Sequence, residues 1–270
     1  MEFETTIEYA PTTNEWKLAF TRHRPLDFDK NKPPIILCHG FASNRYDLDF
    51  EEADKYSLAK YLAKRGFDSW VLELRGHGRS KKRGIRNWFN WSLDTYIDHD
   101  APDAIRYIRE KYRKEYDVNT KIIWIGHSMG GMIAYGYGCS EERRKNLKGV
   151  VTIASPVKFE GLFNNLRKIP PINLQGLVKF AQNICPPRLN KPFLTPLYVK
   201  LIKNIVEKFF VNKDNIDNNI LNKFWEKGTE IISCKKLFQF AYMIELNDFC
   251  KFPKYPRICR IFFYFAQKAI

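Results

Sequence analysis

Apolar residues fall in short blocks along the first 155 positions, and the spacing inside each block decides what it forms. Residues 2–20 alternate polar and apolar positions around Pro11-Thr12-Thr13-Asn14. A period of two about a turn-forming centre predicts an antiparallel hairpin. Ile35-Ile36-Leu37-Cys38 follows Pro33-Pro34 as an unbroken apolar run, the pattern of a strand covered on both faces. Residues 57–65 set Leu58, Tyr61 and Leu62 at helical spacing and stop at Gly66, a helix with its C-cap. Residues 67–74 read as the next strand and 75–80 as a loop. Residues 93–112 put Tyr96, Ile97, Ala101, Ala104, Ile105 and Ile108 on one face of a long helix. Two further buried strands are expected at 121–125 and 149–154, with a helix opening between them. Strands alternating with helices predict an α/β fold with a mostly parallel sheet flanked by helices.

From Pro156 to about Cys250 the pattern changes. Amphipathic runs at 197–210 and 231–246 are separated by Pro170-Pro171 and Pro186-Pro187, and no strong buried strand interrupts them. This stretch reads as a helical insertion over the carboxyl edge of the sheet, where loops build a site. Ile261-Phe262-Phe263-Tyr264-Phe265 is the only strand-like run after it. The expected organisation is a core at 1–155, a helical cap at 156–250, and a final segment at 251–270 that is either one more core strand or an aberrant tail.

Chemistry enters at Gly126-His127-Ser128-Met129-Gly130. A strand, a G-x-S-x-G turn and a helix opening make a nucleophile elbow, in which small neighbours let the backbone lift a serine hydroxyl into the open. Three other segments accompany it: His39-Gly40-Phe41 after the first buried strand, Arg75-Gly76-His77-Gly78-Arg79-Ser80 after the second, and Trp91-Ser92-Leu93-Asp94-Thr95-Tyr96 with Asp100-Ala101-Pro102 on the long helix. Together the four resemble the α/β-hydrolase fold over nearly all of the first 155 residues. Within it they are similar to the branch of acid lipases, lysophospholipases and polyhydroxyalkanoate synthases, and serine rather than cysteine favours the hydrolytic members. The resemblance implies that Ser128 attacks an acyl carbonyl. The backbone N–H groups of Phe41 and Met129 would receive the oxyanion. His39, Gly40, Gly126, His127 and Gly130 would support the loop and the elbow. No metal and no cofactor is expected; the substrate would be a small-molecule or lipid-like ester.

A serine needs a base, and in the α/β-hydrolase order the histidine comes last. This sequence has five histidines and none after His127. His127 is expected to point away from Ser128, His39 to hold the oxyanion loop by hydrogen bonding, and His77 to be structural; His23 lies in the hairpin and His99 on the long helix. Glu160 is a conceivable acid with no base to orient. The resemblance therefore implies that the last strand, last helix, acid and histidine are missing, as in a C-terminally truncated or frame-shifted product. Losing the base costs about six orders of magnitude in turnover in the subtilisin case, so impaired hydrolysis is expected. The alternative is a non-catalytic scaffold that binds a ligand or a protein, with a partner chain covering the unpaired sheet edge.

Composition narrows this picture in three ways. At 44% hydrophobic residues the chain can bury a real core. Its net charge of +15 is spread along the sequence without a nucleic-acid-binding motif, which argues against nucleic acid and leaves at most a weak contact with an anionic membrane surface. Six cysteines without C-x-x-C spacing, an acidic start and no apolar run of about 18 residues predict a cytoplasmic protein with no transmembrane segment.

Overall fold

A computed structural model describes residues 2–82, 91–159, 207, 211–230 and 232–249. The alternating first segment forms the expected hairpin: β1 (Phe3–Pro11) pairs antiparallel with β2 (Trp16–Pro25). The Thr12 N–H and hydroxyl both donate to Trp16 O and close the turn. The second strand runs further than the alternation suggests, because its far half pairs with a third strand as well. Among the described residues, β3 (Ile35–Cys38), β4 (Ser69–Glu73), the short β5 (Lys81–Lys82), β6 (Ile122–His127) and β7 (Leu147–Ile153) join them in a seven-stranded sheet of order β1-β2-β4-β3-β6-β7, with β5 beside β2. Pairing from β4 through β3 and β6 to β7 is parallel; the hairpin side is antiparallel.

Continuous apolar runs become central strands because both faces are covered. Ile36 and Cys38, Trp70 and Leu72, Ile122 and Trp124 face one buried cluster; Ile35, Leu37, Val71 and Ile125 face a second on the other side. The first cluster is closed by α2 (Ala101–Tyr116), which contributes Ala104, Ile105, Ile108 and Tyr112. The second is closed by α1 (Leu58–Lys64), whose Ser57 N-cap accepts from Lys60 N–H and whose end turns at Gly66 with φ +85°. The long helix predicted at 93–112 is present but not uniform: residues 93–95 form a capped first turn, Tyr96–Asp100 form a π-helical turn, and α2 follows. Such an inserted residue re-aims side chains, and Tyr96 and Asp100 both face the site described below.

The strand expected at 149–154 is not buried. Among the described strands β7 is last in the sheet order, and Val150, Val151 and Ile153 are each more than two-fifths exposed. Beyond β6 come α3 (Met129–Gly138) and α4 (Glu141–Arg144). In the second half, α6 (Cys234–Leu246) falls on the amphipathic run at 231–246, and α5 (Asn218–Lys227) is a helix outside the two runs named from the sequence. The run at 197–210 apart from residue 207, Glu160 and the segment 251–270 lie outside the described residues. Among those described, no helix is long and apolar enough to cross a membrane.

Candidate active site

The elbow at Ser128 is built by strain and close packing. Ser128 has φ +50° and ψ −114°, a conformation that L side chains rarely adopt. Three contacts hold it there: its N–H donates to Ile153 O at 2.8 Å, and its carbonyl accepts from Gly131 and Met132. The glycines are required by distance. A Cβ on Gly126 would lie 2.3 Å from the Gly130 carbonyl carbon, and one on Gly130 would lie 2.2 Å from Cys38 O. Helix and strands therefore approach backbone to backbone, and Trp124 Nε1–H donates to Gly130 O at 3.0 Å to fasten them. The Ser128 side chain is left partly exposed.

The loop after β3 lies directly against this turn. A Cβ on Gly40 would sit 3.4 Å from Ser128 Cβ and 3.2 Å from His127 Nδ1. Among the described residues, neither the Phe41 nor the Met129 backbone N–H donates to a protein acceptor. Met129 opens α3, so its N–H also stands at the positive end of the helix dipole. Two uncommitted donors beside a partly exposed serine hydroxyl can receive the negative oxygen of a tetrahedral intermediate.

The histidines divide into two groups. His39 and His77 are fully buried, with ring centroids 4.7 Å apart. His39 Nδ1–H donates to Gly40 O at 2.9 Å while its Nε2 accepts from Leu74 N–H. His77 Nδ1–H donates to Ser43 O at 2.6 Å while its Nε2 faces Lys236 Nζ and the Tyr96 hydroxyl. Burial lowers both imidazoles, His39 to about 4, so both stay neutral and serve as fixed donors. His127 differs. Its Nδ1–H donates to Asp47 Oδ2 at 2.7 Å, and that hydrogen bond raises the imidazole above its ordinary range. Its ring lies against the loop that follows β3. The same Asp47 oxygen accepts from Gly40 N–H at 2.7 Å. One carboxylate thus ties the loop after β3 to the residue before Ser128.

Three of these partners escaped the sequence reading. Asp47 sits in a 3-10 turn seven residues after Gly40, a spacing that nothing in the local pattern marks. Lys236 looks like one more solvated lysine of α6 until the fold buries it completely. Asp100 was placed on the long helix, but not its role. It is fully buried and pairs with Arg75 through Nε and the main-chain N–H, which locks the loop 75–80 in place. Among the described residues neither His23 nor His99 hydrogen-bonds to Ser128; His23 pairs with Asp49 on the hairpin side.

With this geometry in view, comparison with known proteins gives a consistent answer. Residues 33–216 match the family described as alpha/beta hydrolase fold, and the chain belongs to that family. It is 27% identical over 166 residues to the lysosomal acid lipase/cholesteryl ester hydrolase of Rattus norvegicus, covering 57% of this chain and 40% of that protein. It is 25% identical over 201 residues to lipase member K of Homo sapiens, covering 71% of this chain and 49% of the relative. The chain thus spans about half or less of the length of these relatives. A solved structure of a hypothetical protein from Pseudomonas aeruginosa shares the fold with a TM-score of 0.54 at 14% identity, over 96% of this chain and 74% of that one.

Proposed function

We propose that the chain is a serine hydrolase of carboxylic esters, acting through an acyl-enzyme on Ser128. The observation that carries this reading is the strained serine at φ +50° beside the uncommitted Phe41 and Met129 amides. Ser128 Oγ bonds to the ester carbonyl carbon, the carbonyl oxygen takes the negative charge between the two amides, and collapse expels the alcohol. Water then cleaves the acyl group from Oγ and restores the serine. Lipid-like esters suit the apolar surroundings, where the Phe41 and Phe240 rings stand 4.5 Å apart, and the lipase names of the relatives point the same way.

Among the described residues no histidine ring hydrogen-bonds to Ser128 Oγ, since His39, His77, His23 and His127 are engaged by Gly40, Ser43, Asp49 and Asp47, so within these residues the serine proton passes to water. Turnover by these residues alone is therefore slow, close to what oxyanion stabilisation supplies, about 10³–10⁴ over water. We assign residues 1–155 to the hydrolase core and 156–250 to a cap. The lack of a histidine contact to Ser128 Oγ among the described residues favours a second reading, a scaffold that binds without turnover. Hydrolysis of short and medium p-nitrophenyl esters by the purified chain and by Ser128→Ala separates the two. Weak activity lost in the variant supports the hydrolase; equal rates in both proteins leave only the scaffold.

A further inference from the structure

The loop that carries Phe41 does not hold its own shape. Ala42 has φ +56°, a left-handed conformation that costs a residue with a Cβ about 1 kcal/mol. The polar groups that follow Phe41 are taken up largely by a segment almost two hundred residues later. Ala42 O accepts from Glu230 N–H at 2.8 Å, and Ser43 bridges Thr229 as an isolated antiparallel pair. Asn44 Nδ2 donates to Lys227 O at 2.8 Å and to Glu230 Oε1 at 2.9 Å. Glu230 Oε1 accepts also from Gly78 N–H at 2.8 Å, so one carboxylate joins the oxyanion loop to the loop 75–80.

Lys236 works one layer deeper. Its Nζ donates to His77 Nε2 at 2.9 Å, which leaves the Nδ1 proton of His77 for Ser43 O. The same Nζ lies 5.0 Å from the centre of the Phe41 ring. A fully buried lysine destabilises a fold unless its amine is neutral and hydrogen-bonded, and burial brings this one down to about 7. A leucine or methionine would fill the volume at lower cost, so packing does not explain its presence.

We propose that Glu230 and Lys236 are positioning residues that hold the oxyanion loop, with the Phe41 amide, in the shape that faces Ser128. This rests on the reading of Phe41 and Met129 as the oxyanion donors. Neither residue need touch the ester. Glu230 acts through Asn44 and Gly78, and Lys236 acts through His77 and Ser43. The consequence is that the segment 227–240 completes the hole and does more than cover it.

Amide hydrogen exchange at position 230 reads the clasp directly, because that N–H is protected only while it donates to Ala42 O. Phosphonylation of Ser128 by a fluorophosphonate reads the hole. In Glu230→Ala and in Lys236→Met, exchange at position 230 should rise about tenfold, the weight of one lost hydrogen bond, while amides of β6 keep their protection. Ser128 phosphonylation should slow by a similar factor. Glu230→Gln keeps the acceptor oxygen and should recover most of both, which a loss of bulk stability would not do. If Glu230→Ala unfolds, Lys236→Met and Glu230→Gln carry the test. Unchanged exchange at position 230 in the folded variants overturns the proposal. A parent chain that is not phosphonylated at all refutes the hydrolase reading instead, and the exchange result still decides the clasp.

Discussion

Asp47 is the most economical place to disturb the site. Its Oδ2 accepts two hydrogen bonds at 2.7 Å, from the Gly40 amide and from His127 Nδ1. A hydrogen bond to a charged acceptor is worth about 1.5–3 kcal/mol where water is excluded. The Asp47 side chain is only 11% exposed, so the Gly40 bond keeps that weight. The His127 side chain is 36% exposed, and solvent reduces its share to about 1 kcal/mol or less. Asp47→Asn removes the charge and retains one neutral acceptor, so about 2 kcal/mol should be lost. For a chain of this size that is a fall of about 4–8 °C in melting temperature.

The pH dependence gives the sharper check. The folded pKa of His127 is raised above its unfolded value. Its stabilising contribution is therefore complete below the unfolded value, about 6.5, and is lost as pH rises through the folded one. The gap in melting temperature between parent and Asp47→Asn should be widest near pH 6 and should narrow toward about pH 9. Calorimetry across that range, with an NMR titration of the His127 ring, makes the measurement. A variant that melts with the parent at every pH, with an unshifted His127 titration, would refute the reasoning.

Other expectations follow from the same geometry. In Gly126→Ala the new Cβ must gain about 1 Å from the Gly130 backbone, at a cost of about 1–3 kcal/mol; thermal melts should fall and Ser128 phosphonylation should drop about a hundredfold. Arg75→Leu strands the fully buried Asp100 carboxylate and should destabilise by about 3–5 kcal/mol in urea unfolding, with burial then pushing Asp100 further up. Lys236→Met removes a burial cost whose upper limit is about 5 kcal/mol, from a pKa lowered from 10.5 to about 7. That cost is complete below about pH 7 and disappears toward pH 10.5, so the variant should melt higher than the parent at neutral pH and equally at high pH.

Much of the fold was legible because local pattern and tertiary burial agreed. Ile35–Cys38 could only be a strand covered twice, and the elbow glycines announced a backbone contact that the structure then shows. The hairpin followed from its alternation. Legibility ended where neighbours far away in sequence decide. The run at 149–154 is as apolar as the central strands, yet it stands last among the described strands and is half exposed. The π-helical turn at Tyr96–Asp100 carries no composition signal, because helical spacing is disturbed by a single residue. Of the candidate site, the strained turn at Ser128 and the loop at Gly40–Phe41 beside it were readable from one motif and one loop. Asp47, Glu230 and Lys236 were not, since each acquires its meaning only by burial against a loop remote in sequence.

The account depends on a hydroxyl held at a strained turn facing two waiting amides. A crystal structure of the chain after reaction with a fluorophosphonate tests that arrangement directly. Phosphorus should be bonded to Ser128 Oγ, and the phosphonyl oxygen should lie about 2.7–3.1 Å from both Phe41 N and Met129 N. An adduct whose oxygen turns to solvent, or a folded chain that yields no adduct on Ser128, would contradict it.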